Sequence, residues 1–203
     1  DLLVAMKPAG LKTNLHAVKA GHTIIVDIDS FSKKNLQKAE YETNPLEDGS
    51  LDNYRVIEVS MTSMTKESIK DLGLDNKSIT RSKNMFALGM VYWMYDREMD
   101  HTLNFFEQKF KYKPEIAEAN AKVLKAGFYY AETLELIPNA YKIAPSEMPK
   151  GTYRIINGNT ATAWGFLAAA EKSGLELFLG SYPITPATDI LHELVKHKNF
   201  GVK

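Results

Sequence analysis

The order strand, helix, strand at the front of this chain is the feature that most limits how it can fold. Residues 2–6 (Leu-Leu-Val-Ala-Met) form a short continuous apolar run, the pattern of a strand buried on both faces. Pro8 punctuates it. Leu11, Leu15 and Val18 then recur at i, i+4 and i+7, which lays one apolar stripe along a helix, with Gly21 as a C-terminal stop. Residues 22–28 (His-Thr-Ile-Ile-Val-Asp-Ile) form a second run, rich in the β-branched side chains that pack well on a pleated surface. A helical crossover between two buried strands predicts a parallel sheet with helices on its faces, an α/β fold.

The pattern continues downstream. Residues 31–39 read as a short helix, and residues 44–50 as a polar turn-forming loop. Residues 54–60 alternate apolar and polar, so they predict a strand near a sheet edge. Residues 65–72 predict a helix ended by Gly73. Ser82 is placed to cap a helix through Met85, Phe86, Leu88, Val91, Trp93 and Met94, apolar on most sides and so buried in the domain or in an interface. Helices follow over residues 102–110 and 114–134, the second opening on Pro114. Pro138, Pro145, Pro149 and Gly151 then mark residues 137–151 as a linker. Beyond it, residues 159–173 predict a helix of small residues, residues 175–179 a buried strand, and Ile190, Leu191, Leu194 and Val195 a last helix.

Composition removes several function classes. There is no cysteine, which excludes disulfides, thiolate-bound zinc, ordinary iron–sulfur ligation and a thiol nucleophile, and fits a cytoplasmic protein. The five histidines show no His-x-x-x-His spacing, so no metal site is expected. Lys plus Arg equals Asp plus Glu at 25 each, and no local basic cluster stands out to bind nucleic acid. No apolar run reaches the about 20 residues that cross a bilayer. No G-x-G-x-x-G follows a strand, which argues against a free-standing dinucleotide-binding domain.

The segment of greatest interest is residues 180–189, just past the carboxyl end of the strand expected at 175–179. Ligands of open α/β sheets bind in that crevice. Pro186 suits a first helical position, and Thr185 before it would be the N-cap, its hydroxyl accepting from the first turn while its proton stays free to donate outward. The same residues also read as a capped turn with no ligand.

Tyr182-Pro183-Ile184-Thr185-Pro186 resembles the motif that opens the pyrimidine-type domain of 2-oxoacid:ferredoxin oxidoreductases. Upstream, Gly158-Asn159-Thr160-Ala161-Thr162-Ala163-Trp164-Gly165 resembles the segment that begins this domain. Residues 5–8, 44–50, 81–89 and 114–116 resemble the gamma domain, which one branch of the family fuses in front of the alpha domain. The resemblance implies that residues 1–144 are the C-terminal part of a Rossmann-like gamma domain, incomplete at its N-terminus. Residues 145–203 would be a linker and the first β-α units of the pyrimidine-type domain of the alpha subunit.

That family implies coenzyme A-dependent oxidative decarboxylation of a 2-oxoacid on thiamine diphosphate, with electrons passed to ferredoxin. The gamma–alpha fusion leans towards 2-oxoglutarate. By resemblance Thr185 touches the carboxylate or 2-oxo oxygen of the substrate, and Tyr182, Pro183, Ile184 and Pro186 shape its loop. The diphosphate and magnesium belong to a beta subunit, and the iron–sulfur clusters to other subunits or domains. The chain starts at Asp1 and stops soon after a helix, so it reads as a fragment cut at both ends, binding no cofactor and inactive alone. A non-catalytic assembly module of the same complex is the alternative.

Three smaller features carry two readings each. Arg81 and Lys83 are either a solvated helix start or a contact for a coenzyme A phosphate. Ala161, Gly165, Ala168 and Ala169 form a small-residue stripe for close helix packing or ligand approach. Glu47 and Asp48 are exposed loop carboxylates or a magnesium or acid–base pair.

Overall fold

The computed structural model describes residues 1–134 and 141–202. It divides into two compact units, residues 1–145 and 146–203. Ile137 and Pro138 of the expected linker lie outside the described residues.

The first unit is built on a three-stranded parallel sheet in the order β1-β2-β3, with β1 Leu2–Ala5, β2 Thr23–Asp27 and β3 Arg55–Val59. All five residues of β2 are buried, as a central strand of a two-sided sheet requires. α1 (Pro8–Asn14) and α2 (Lys33–Lys38) follow the first two strands. α1 is shorter than its apolar stripe suggests, because a 3-10 turn at Leu15–Ala17 completes it. Gly21 therefore does not cap α1. It turns the chain into β2 at φ +79, with its N–H donated to the Asn53 carbonyl at 2.7 Å.

Among the described residues four further helices follow in this unit: α3 (Met61–Ser68), α4 (Asn76–Met94), α5 (Asp100–Lys109) and α6 (Pro114–Thr133). α4 begins earlier than expected. Asp75 is its cap, accepting from the Ser78 N–H at 3.0 Å, and Ser82 lies inside the helix. Alternation along the strands divides the core. Ile24 and Val26 pack with Leu11, Val18 and Phe31, while Ile25, Ile57 and Val59 meet Phe86 and Met90 of α4 and Val123 of α6. The apolar length of α4 is therefore satisfied within its own unit. α4 and α6 approach closely because glycines face the contact: a Cβ on Gly89 would lie 2.0 Å from the Leu124 carbonyl oxygen, and one on Gly127 1.9 Å from that of Phe86.

The second unit holds α7 (Gly158–Ser173) and α8 (Thr188–Val195). Asn157 caps α7 by accepting from the Thr160 N–H at 2.8 Å. The strand expected at residues 175–179 does not form. Leu175 and Phe178 are 72% and 77% exposed, and the unit holds no strand among its described residues to which that backbone could bond.

Candidate functional site

Residues 180–187 of the second unit form an exposed loop, and α8 starts only at Thr188. The position before it is Ala187, which offers no side-chain cap, so Thr185 does not cap the helix and Pro186 is not its first residue. The reason is local. Thr188 donates both its N–H (3.0 Å) and its hydroxyl (3.1 Å) to the Ile184 carbonyl, closing a turn around Thr185 and Pro186 before helical bonding begins. The Thr185–Pro186 peptide is cis.

Relieved of capping, the Thr185 hydroxyl has no partner among the described residues and faces solvent. Tyr182 and Ile184 are 83% and 60% exposed, and Pro183 and Pro186 are exposed beside them. The two sequence blocks meet directly. Asn159, at the start of α7, donates its side-chain N–H to the Pro186 carbonyl at 3.0 Å. A second tie joins the helices: Trp164 Nε1–H donates to Glu193 Oε1 at 3.1 Å, while Lys196 donates to Glu193 Oε2 at 2.6 Å. The bond from Lys196, with smaller help from Trp164 and His197 against some burial, holds the Glu193 carboxyl below its ordinary value. The loop is thus anchored at its base and open at Thr185.

The first unit carries a buried polar cluster that residue patterns did not reveal. Asp27, fully buried at the carboxyl end of β2, accepts at Oδ2 from Lys83 Nζ (2.7 Å), Thr62 Oγ1 (2.7 Å) and Ser30 Oγ (2.8 Å), and at Oδ1 from the Thr62 N–H (3.3 Å). Every partner is intramolecular, so the carboxylate is consumed in holding β2, α3 and α4 together. Its ability to take a proton from a ligand is correspondingly small. The available signal was a charged residue inside the apolar run of residues 22–28.

Lys83 is accordingly neither a solvated helix start nor a phosphate contact: it sits inside α4, 8% exposed, turned onto Asp27. Arg81 is exposed and separate from it. Ala161, Gly165, Ala168 and Ala169 are exposed, with nothing within 4 Å of a Cβ on Gly165, so the stripe packs against no described helix. Glu47 and Asp48 are exposed and serve their own turn: Asp48 accepts from the Ser50 N–H at 2.9 Å, and Glu47 from Asn44 at 2.8 Å. No group of three or more acidic or histidine side chains is placed to hold a metal among the described residues.

Comparison with known proteins places this architecture. The family model described as pyruvate ferredoxin/flavodoxin oxidoreductase matches residues 1–130. The chain belongs to this family. It is 52% identical over 202 residues to the 2-oxoglutarate oxidoreductase subunit KorA of Mycobacterium tuberculosis (strain ATCC 25618 / H37Rv), covering 100% of this chain and 31% of that protein. A solved structure, the 2-oxoglutarate:ferredoxin oxidoreductase from Magnetococcus marinus with 2-oxoglutarate, coenzyme A and succinyl-CoA bound, shares the fold. Its TM-score is 0.70 at 24% identity, over all of this chain and 31% of that one. This chain thus spans 31% of the length of the relatives it matches. The family match contains the Asp27 cluster, and the Thr185 loop lies beyond it but within the longer alignment.

Proposed function

We propose that this chain is part of the alpha subunit of a 2-oxoacid:ferredoxin oxidoreductase acting on 2-oxoglutarate or a close relative. Residues 1–144 would be the C-terminal part of its gamma domain, and residues 145–203 a linker and the start of its pyrimidine-type domain. The observation that carries this reading is the 52% identity with a 2-oxoglutarate oxidoreductase subunit along the whole chain. Thiamine diphosphate, when bound, supplies the carbanion chemistry of such an enzyme. The residues present fit one edge of its site: a free Thr185 hydroxyl on an anchored loop, with Tyr182, Pro183, Ile184 and Pro186 as the shape around it. Diphosphate and magnesium are assigned to the beta subunit, and iron–sulfur clusters, ferredoxin and coenzyme A to the complex as a whole.

In this reading Thr185 donates its hydroxyl proton to the carboxylate or 2-oxo oxygen of the substrate. Its pre-set position means that little reorganisation is needed when charge develops. Assaying the complete complex against pyruvate, 2-oxoglutarate and branched 2-oxoacids tests the substrate. Thr185→Ala tests the site. A donor acting on developing charge lowers kcat by about 10²-fold or more when removed, while one that only holds the ground-state carboxylate raises KM with kcat unchanged. Thr185→Ser retains activity in both cases.

A second reading, an assembly module without chemistry, is favoured by the exposed Leu175, Phe178, Tyr182 and Ile184. Under it, Thr185→Ala keeps normal kcat and KM, and substitutions at Leu175 and Phe178 dissociate the complex.

A further inference from the structure

Within the first unit, α4, α5 and α6 enclose a pocket of about 340 Å³. One side is aromatic, formed by Phe105, Phe106 and Phe110. Arg81, Lys109 and Lys113 stand around it, and no carboxylate lines it. None of these cations makes an ion pair among the described residues. Lys109 Nζ instead lies 5.0 Å from the ring centroid of Phe105 and 5.7 Å from that of Phe110. Asp75, the acid whose charge interacts with Arg81, is already engaged in capping α4.

Asn120 also lines the pocket. It is 8% exposed, and its carboxamide has no hydrogen-bond partner among the described residues. Its polar atoms are not sealed off but open to the pocket, where they are free to bond a ligand. The neighbouring pocket of about 490 Å³ differs in kind, since Glu107 and Glu118 lie on its wall and oppose an anion.

We propose that the first of these pockets binds a purine mononucleotide, its base against the phenylalanines and Asn120, its phosphate among Arg81, Lys109 and Lys113. The three features are each needed for that ligand and are left partly unused by simpler ones. A carboxamide presents a donor and an acceptor side by side, matching the N6 and N7 edge of adenine. Aromatic side chains stack on any base face, and Arg and Lys bind phosphate oxygens by charge-assisted hydrogen bonds. Inorganic anions would use the cations and leave the carboxamide and rings idle. The volume lies within the about 300–1,000 Å³ usual for small-ligand sites. The proposal uses no residue of the second unit and does not rest on the function proposed above.

Calorimetric titration of AMP into the full-length protein in its assembled complex tests it. Saturable binding is expected, with adenosine and inorganic phosphate each at least about tenfold weaker. Replacing the exposed pair together, Arg81→Ala with Lys109→Ala, should weaken AMP by about tenfold or more with thermal melting unchanged. Asn120→Ala should weaken AMP but not phosphate; because Asn120 is buried, that variant is compared only if its melting matches the parent, and the exposed pair carries the test if it does not. Repeating the AMP titration with saturating coenzyme A should leave the affinity unchanged. Competitive displacement would overturn the mononucleotide assignment in favour of the adenosine end of coenzyme A. No AMP binding at about 1 mM, equal affinity in the double variant, or phosphate competing as well as AMP would each overturn it too.

Discussion

Lys83 Nζ lies 2.7 Å from Asp27 Oδ2, tying the middle of α4 to the carboxyl end of the central strand across 56 residues of sequence. Burial alone pushes the Asp27 carboxyl up. Hydrogen bonds from Lys83, Thr62 and Ser30, with the charge of Lys83, outweigh it and hold the group below its ordinary value. The carboxyl edge of the sheet is therefore braced by an electrostatic clasp where an apolar core would otherwise continue.

Removing the cation should be costly. Lys83→Met leaves a buried carboxylate without its ion partner, a change worth about 3–5 kcal/mol. A lower urea midpoint at unchanged slope is the expected reading. The double variant Asp27→Asn, Lys83→Met should lose clearly less than the sum of the single losses. Strict additivity would mean that the two residues are not coupled.

Acid should undo the same clasp. The Asp27 pKa is lower folded than unfolded, so its stabilisation is fully present above the ordinary carboxylate value of 3.8 and is lost as pH falls through the folded value. Wild type should exceed Asp27→Asn in unfolding free energy at about pH 7, with the gap narrowing towards about pH 3. A gap constant with pH would contradict the ionised clasp.

Glycine makes the α4–α6 contact possible. Gly89→Ala and Gly127→Ala place a methyl group against backbone oxygen, which cannot rotate away as a side chain would. Each should cost at least the about 1–3 kcal/mol of ordinary overpacking. Gly10→Ala, in α1 with nothing within 4 Å, should instead gain up to about 1 kcal/mol. Thermal melting of the three variants orders them.

Thr185→Ala should leave stability within about 0.5 kcal/mol, since the hydroxyl caps nothing and is exposed. Asn159→Ala should release the Pro186 carbonyl and speed hydrogen exchange in residues 180–185 while α4 and α6 stay protected. Unchanged exchange would mean that the Asn159 bond does not hold the loop.

Local physics made much of the first unit legible. The apolar run at β2 and the alternation in β3 marked strands, because burial on two faces or one leaves a mark every residue or every second residue. The apolar run at β1, expected to be buried on both faces, instead forms an edge strand in which only Ala5 is buried. Pro114 opens α6, and Gly73, left-handed at φ +61, closes the turn after α3, since both effects act within a few residues. The motif around Thr185 carried the family resemblance without any knowledge of packing.

Other outcomes depended on groups distant in sequence. Lys83 read as a surface cation until the fold brought Asp27 to it, and no spacing rule connects residues so far apart. Gly89 and Gly127 have no evident role along their own helices, and only the helix crossing gives them one. Residues 175–179 have strand composition but form no strand, because a strand needs a neighbour to accept its backbone bonds. Lys109 and Lys113 lie four residues apart at the α5–α6 turn, and only the fold brings Arg81 of α4 to the same pocket. Propensity and periodicity act along the chain and were readable from it, whereas charge pairing, close helix approach and pocket formation required the chain to be folded.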